Sequence, residues 1–353
     1  MEYKYPVVDD HYHIYNWKDG QNRPFWETTD NYWAGRNFRA VNINALPAFD
    51  VSCNIITALY KLYKPKTYIH GGITYDEIPL PAVMTEGMDP LTQYRELMEI
   101  GFDGIKMIET KPDRVKAMQR PVCDPLYHAF FDAVEADGTH MVWHVADPAE
   151  FWDKDLAPAF SFENGWFYGD GTFPSYEEIY AQVFAVLDRN PNLKVTFAHF
   201  FFLSGDPVRL EALFAKYPNM NVDLTPGGEM YASFHKDPAY YRDFFTRHAA
   251  RIQFGTDASD DASVVDDNLN IADCVYRFLT TDDEYHLWEN PVHGIRLDDE
   301  AVEKILSENF LRRVSETPKA INKAALKRYI AKYRHLIRDP QVLADIDAAA
   351  ERL

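Results

Sequence analysis

Along most of the chain, apolar runs of strand length alternate with segments whose apolar residues recur at helical spacing. Eight such runs are expected as strands, over 6–13, 53–60, 67–74, 104–109, 140–146, 194–200, 220–225 and 251–257. Several of the segments between them carry legible helix starts. Ser175 with Glu178 has the spacing of a capping box ahead of Tyr176, and Asp206-Pro207 opens a helix running to Lys216. Strand followed by helix, eight times over, predicts an α/β fold of the (β/α)8 TIM-barrel type, with the active site built where the strands end.

Polar residues with ligand chemistry sit at or near those expected ends. Strand one carries Asp9-x-His11-x-His13. Alternate residues on a strand project to the same side, so the two imidazoles are expected to aim at one point, where they could share a metal ion, with Asp9 further back on that face. Lys106 lies in strand four, His144 in strand five and His199 in strand six, and strand eight ends at Asp257. Such groups are costly to bury in a barrel core unless they pair or bind something.

The motifs Asp9-x-His11-x-His13, His144, His199 and Gly255-Thr256-Asp257 fall in one order along the chain. With Gly101-Phe102-Asp103-Gly104-Ile105-Lys106, Pro191 through His199, Leu297-Asp298-Asp299-Glu300 and Ile305 through Asn309, they resemble the amidohydrolase superfamily, in its amidohydrolase-related branch, over about residues 6–314. That branch includes aminocarboxymuconate-semialdehyde decarboxylase, γ-resorcylate decarboxylase and several hydrolases. The resemblance implies one divalent metal, zinc before manganese or iron, held by His11, His13, His144 and Asp257. Asp257 would also be the general base, while His199 would polarise a substrate carbonyl or ligate a second metal. Lys106 occupies the place of the carboxylated lysine that bridges two ions in binuclear members, and in a mononuclear site it would serve as a pocket cation. The activity implied first is hydrolysis of a lactone, amide or similar bond in a small polar, ring-containing or anionic substrate. The alternative is non-oxidative decarboxylation of an unsaturated or aromatic carboxylic acid.

Composition narrows the rest. The chain has 353 residues, 46% of them hydrophobic, enough for one large barrel. A net charge of -19 disfavours nucleic acid and anionic membranes as partners. The widely spaced Cys53, Cys123 and Cys274 and the direct run of Met1-Glu2-Tyr3-Lys4 into strand one lead to the expectation of a cytoplasmic enzyme with free thiols, assembled as a homodimer and acting on a small molecule. Barrel residues are expected over 1–317, with 14–50 as a lid insertion rich in Trp17, Arg23, Phe25, Trp26, Trp33, Arg36 and Arg39. Residues 318–353 form a basic helical extension, expected to dock on the acidic barrel or on a second subunit. Tyr12, Arg39, His70, Trp143 and Glu229 are expected substrate contacts, with Trp152, Trp166, Tyr168 and Phe200-Phe201-Phe202 as pocket rings and Arg36 and Lys61 as further cations for a substrate carboxylate.

Overall fold

The computed structural model describes residues 1–15, 36–261, 264–351 and 353. Its main sheet is a TIM barrel of parallel strands: β1 (Val7–His13), β2 (Phe38–Asn44), β3 (Tyr68–Gly71), β4 (Gly104–Thr110), β5 (His140–Val145), β6 (Lys194–Phe197), β7 (Met220–Asp223), β8 (Ile252–Gln253) and β9 (Ala258–Ser259). The hydrogen-bonded order runs β8 through β1 to β9. β8 and β9 are two pieces of the eighth barrel strand, interrupted at 254–257, and they close the barrel on β1. Asp10 N donates to Phe254 O (3.0 Å) and Asp257 N to His11 O (2.8 Å) across that seam. The capping box at Ser175 and Glu178 opens the helix Tyr176–Arg189, and Asp206 caps the helix Pro207–Lys216.

Two expectations about the second strand fail. Residues 53–60 are not strand two but the start of the helix Cys53–Tyr63, buried from Cys53 to Lys61, so its apolar run shows no exposed face by which to recognise a helix. The true second strand, Phe38–Asn44, lies inside the segment assigned to a lid. It points Asn42 and Asn44 into hydrogen bonds inside the barrel, so its polar positions read as loop. Trp17, Arg23, Phe25, Trp26 and Trp33, and with them most of the expected lid, lie outside the described residues.

The barrel interior carries a polar layer. Asn42 Nδ2 lies 3.2 Å from Asp10 Oδ1, and Asn42 Oδ1 meets His70 Nδ1 at 2.6 Å. His70 Nε2 meets His140 Nδ1 at 2.9 Å, and His140 Nε2 meets Thr196 Oγ1 at 2.8 Å. Thr196 Oγ1 lies 2.8 Å from Gln253 Oε1, and Gln253 Nε2 returns to Asp10 Oδ2 at 2.6 Å. These contacts form a closed ring through β1, β2, β3, β5, β6 and β8. β7 joins through Asn221 Nδ2, which donates to Gln253 Oε1 (3.2 Å). β4 makes room with Gly104, where a Cβ would lie 2.2 Å from His70 Nε2. Val8, Ala40 and Tyr68, each two residues before a ring member on its strand, pack with Phe310 and Leu311 into an apolar plug at the strands' N-terminal side.

Each contact in the ring needs one hydrogen. The two amides, two neutral imidazoles and the threonine hydroxyl bring one apiece, which leaves one contact short. Burial, with Asp223 nearby, raises the Asp10 pKa well above the carboxylate range, while burial pushes both imidazoles well down. The raised pKa favours a protonated Asp10 carboxyl, which brings the sixth hydrogen to the ring.

The C-terminal helices Lys323–Tyr333 and Pro340–Ala350 pack on the barrel's outer helices. Asn54 Nδ2 donates to Tyr329 OH, and Arg328 and Lys332 pair with Glu99 and Glu96 of the helix Pro90–Ile100. Among the described residues, no helix is long and apolar enough to cross a membrane.

His140→Leu should leave His70 Nε2 unpaired, remove one of the two partners of the Thr196 hydroxyl and cost about 2–4 kcal/mol in urea denaturation. His140 is held neutral in the folded protein but takes a proton below about pH 6.5 when unfolded. The wild type therefore loses a stabilising difference on acidification that the variant never had, and the gap between them should narrow as the pH falls below 6.5.

Candidate active site

The site begins with a one-residue slip in β1. Val8 pairs with Ala40 and Asp9 with Val41, but Tyr12 pairs with Ile43, so β1 holds one residue more than β2 between the two points. The bulge lets neighbours Asp10 and His11 both serve the interior, Asp10 in the ring and His11 in the layer above it. Asp9 is not on the ligand face. It is turned to the His11 amide (3.0 Å) and the Thr256 hydroxyl (2.6 Å), holding the bulge against the eighth strand.

Beyond the bulge, each imidazole is fixed through its Nδ1. His11 Nδ1 donates to Asp223 Oδ2 (2.9 Å) and His13 Nδ1 to the Asn44 carbonyl (2.6 Å), so both Nε2 atoms face inward. Asp257 Oδ1 lies 3.4 Å from His11 Nε2 and 2.9 Å from His13 Nε2. These three groups offer ligand atoms within 4.8 Å of one another, and their donor set suits a divalent metal. Burial alone would raise the Asp257 pKa, but the imidazoles of His11, His13 and His199 hold it well below the usual range, so the carboxylate is ionised. Burial and the Lys106 ammonium push His11 down to about 4. Lys106 Nζ lies 2.9 Å from His11 Nε2, and burial lowers its own pKa to about 8.

Asp223, at the end of β7, ties the site together and was missed in the sequence. Besides His11, it accepts from the amides of His199 (2.8 Å) and Thr225 (3.1 Å) through Oδ1. Its signal was available, because a bare carboxylate ending a buried strand is the feature that singled out Asp257.

His199 stands in a left-handed turn. His199, Phe200, Phe201 and Phe202 have φ of 56°, 53°, 59° and 49°, a conformation that costs a non-glycine residue roughly 1–2 kcal/mol. Burial of Phe200 and Phe201 offsets that strain, the first stacked on Phe245 and the second on Phe197. Tyr180 and Tyr176 donate to the carbonyls of Phe201 (2.6 Å) and Phe202 (3.1 Å). The turn presents the imidazole between His144 and His11, with its Nε2 3.2 Å from His144 Nδ1 and its buried Nδ1 without a hydrogen-bond partner. Burial, with His144 adjacent, takes His199 down to about 3, so it is neutral.

His144 is held from behind. Its Nε2 meets Asp147 Oδ1 at 3.2 Å, and Asp147 also takes the Lys111 ammonium on both oxygens (2.6 and 2.7 Å) and the Tyr168 hydroxyl (2.5 Å). His144 is not part of the three-residue cluster, and it reaches that cluster through His199.

A cavity of about 570 Å³ opens above, lined by His144, His199 and Asp257 and walled by Phe151, Phe160, Trp166, Phe202 and Trp288. Of the expected substrate contacts, Glu229 lines it. Tyr12 is buried in the hydrophobic core, and Trp143 is buried with its indole donating to Thr110 Oγ1. His70 belongs to the polar ring. Arg39 pairs with Glu316 on the outside, Arg36 with Asp273, and Lys61 with the equally buried Asp103. Of the expected pocket rings, Trp166 and Phe202 line the cavity, Tyr168 acts through Asp147, Phe200 and Phe201 turn into the core, and Trp152 bonds the Pro174 carbonyl.

No family profile matches the chain, and no curated protein matches it. Solved structures do. An uncharacterised TIM-barrel protein from Bordetella bronchiseptica has a TM-score of 0.52 and 14% identity over 92% of this chain and all of its own. A putative amidohydrolase from Staphylococcus aureus scores 0.51 at 14% identity, covering 88% of this chain and 99% of that one. The 2,6-dihydroxybenzoate decarboxylase from Rhizobium scores 0.51 at 12%, covering 88% and 98%. At these identities the likeness establishes the barrel fold.

Asp223→Asn tests the arrangement without removing an imidazole. With its oxygen kept by the two amides, the new NH2 would face the hydrogen on His11 Nδ1 and force a ring turn or the other tautomer. Zinc affinity measured with a competing chelator should fall about 10–100-fold while the fold is retained.

Proposed function

We propose that the chain is a metal-dependent hydrolase of the amidohydrolase superfamily that cleaves a lactone, amide or similar bond in a small polar, ring-containing molecule. The observation that carries this reading is the ionised Asp257, held between His11 Nε2 and His13 Nε2 at the floor of a substrate-sized cavity with 43% of its side chain open to it. A divalent ion held by His11, His13 and Asp257, with His144 as the fourth ligand and zinc before manganese or iron, would supply Lewis acidity and bring a water's pKa toward about 7.

The chain's own residues do the rest. Asp257 accepts the water's proton at its carboxylate and delivers it to the leaving group. His199 is neutral, and its Nε2–H, which faces the bare Nδ1 of His144 at 3.2 Å, is the donor it would offer a substrate carbonyl. Asp147 orients His144, and Asp223 orients His11 and the backbone of His199. The walls supply ring-stacking area.

The alternative, a decarboxylase, must draw a carboxylate into the same cavity. Its lining includes Asp147, Glu229, Asp257 and Glu289 against Lys111, which Asp147 already engages. The divalent ion and Lys106, 2.9 Å from His11 Nε2, counter these acids, so the two readings are separated by the fate of solvent oxygen.

Asp257→Asn should lower kcat far more than metal loss explains, with the deficit persisting after zinc is restored. With the wild type in oxygen-18 water, label should enter the product, whereas carbon dioxide release without label would establish the decarboxylase instead. Lys106→Met reports nuclearity. Zinc content near one per chain in both proteins supports a single ion, and a fall from two to one would assign Lys106 as a bridge.

A further inference from the structure

The acids lining the cavity are not equivalent. Asp257 belongs to the histidine cluster, and Asp147 is engaged by Lys111, Tyr168 and His144. Glu289 is solvent-exposed. Glu229 differs from all of them, because its Oε1 is buried and has no hydrogen-bond partner.

That carboxyl sits in the first turn of the helix Gly228–Lys236, over Gly227. A Cβ on residue 227 would lie 2.5 Å from Oε2 and 2.6 Å from Oε1, so glycine there is what lets the carboxyl occupy its place. Burial, reinforced by Glu150 and Asp147, pushes its pKa up to about 7. A buried carboxyl oxygen without a partner costs about 1–3 kcal/mol. The same cavity is walled by the rings of Phe202, Trp166 and Trp288, which suit a planar ring. The arrangement lacks one component, a hydrogen-bond donor carried on such a ring.

We propose that Glu229 is the specificity-determining group of this cavity, its carboxyl group pairing with a hydroxyl or amino hydrogen on the ring-bearing, non-reacting part of the substrate. The inference rests on the preceding reading only in taking this cavity as the substrate's. A site built to hold a polar hydrogen rejects the analogue that lacks it, because the protein group is then left unpaired. Glu229 thus selects among ring compounds of similar size and shape, a choice the aromatic walls cannot make.

The test uses phenol and anisole as probes, which share a ring and an oxygen but differ in the donor hydrogen. Calorimetric titrations are run on zinc-loaded and on chelator-stripped protein. Wild type should bind phenol about tenfold tighter than anisole, the value of one hydrogen bond of about 1.4 kcal/mol, in both metal states. Glu229→Leu should abolish the preference, keep its zinc content and, without probe, melt at a higher temperature than wild type, since an unpaired buried oxygen has gone. Glu229→Gln, which keeps a carbonyl acceptor, should retain most of the preference. A Glu229→Leu protein that still prefers phenol, or that melts lower than wild type, would overturn the proposal. So would a wild-type preference that disappears with the metal, since phenol would then be reporting the ion. Failure of the hydrolytic reading in oxygen-18 water leaves these binding results untouched, so the two ideas fall separately.

Discussion

The interior of this barrel is filled with polar groups, and each must find a partner because water does not reach it. Barrel cores are ordinarily layers of branched apolar side chains. Here the apolar layer is confined to Val8, Ala40, Tyr68 and the plug around Phe310. Above it, the ring through Asp10, Asn42, His70, His140, Thr196 and Gln253 spans the lumen in hydrogen bonds between 2.6 and 3.2 Å long. A ring of this kind tolerates no single omission, since one missing member strands two neighbours in a low-dielectric space where an unmade hydrogen bond is expensive. The site above inherits its rigidity from this floor. His11 follows Asp10 directly, and the bulge that turns both inward couples the orientation of one to the ring position of the other.

The same constraint explains what was and was not legible in the sequence. Strand-helix alternation, the helix starts at Ser175 and Asp206, and the ligand-type residues near the strand ends could all be read, because each leaves a local pattern. β2 could not, because a strand that turns Asn42 and Asn44 into a polar lumen has the composition of a loop. The helix Cys53–Tyr63 could not either, since burial on every side removes the amphipathic stripe that distinguishes helix from strand. Period-two reasoning placed Asp9 with His11 and His13, and a single extra residue in β1 put Asp10 in the interior instead. No local sequence signal marks such a slip, which follows from the pairing of β1 with two neighbours at once.

Among the candidate residues, His11, His13 and Asp257 lie together while His144 stands outside their cluster, and those chosen as nearby cations or rings mostly lie elsewhere. Arg36, Arg39 and Lys61 were plausible anchors for a carboxylate, yet each has an acidic partner elsewhere. In a chain with 55 acidic residues against 36 basic ones, a cation finds a structural partner more readily than it stays available to a ligand. Lys111 shows the same preference inside the cavity, where it serves Asp147 and lies 5.2 Å from the Trp166 ring. Aromatic residues are similarly ambiguous at 15% of the chain, because a core of this size absorbs most of them.

Backbone strain coincides with the functional layer at three barrel-strand positions. Ala146, His199 and Asp257, with φ of 61°, 56° and 59°, follow β5, follow β6 and interrupt the eighth strand. All three mark points where the chain leaves strand geometry to deliver a side chain or a carbonyl to the cavity floor: Asp257 delivers its carboxylate, His199 its imidazole, and Ala146 a carbonyl 2.9 Å from His144 Nε2. Left-handed conformations at non-glycine residues persist only where the surroundings over-determine them. Here the surroundings are specific: Phe200 and Phe201 buried under the turn, Tyr176 and Tyr180 on its carbonyls, and Asp223 on the His199 amide. Asp223 therefore does two things with one carboxylate, fixing the inward face of His11 and anchoring a strained backbone on the neighbouring strand. The electrostatics of the cluster and the conformational strain beside it are consequently coupled through a single buried group.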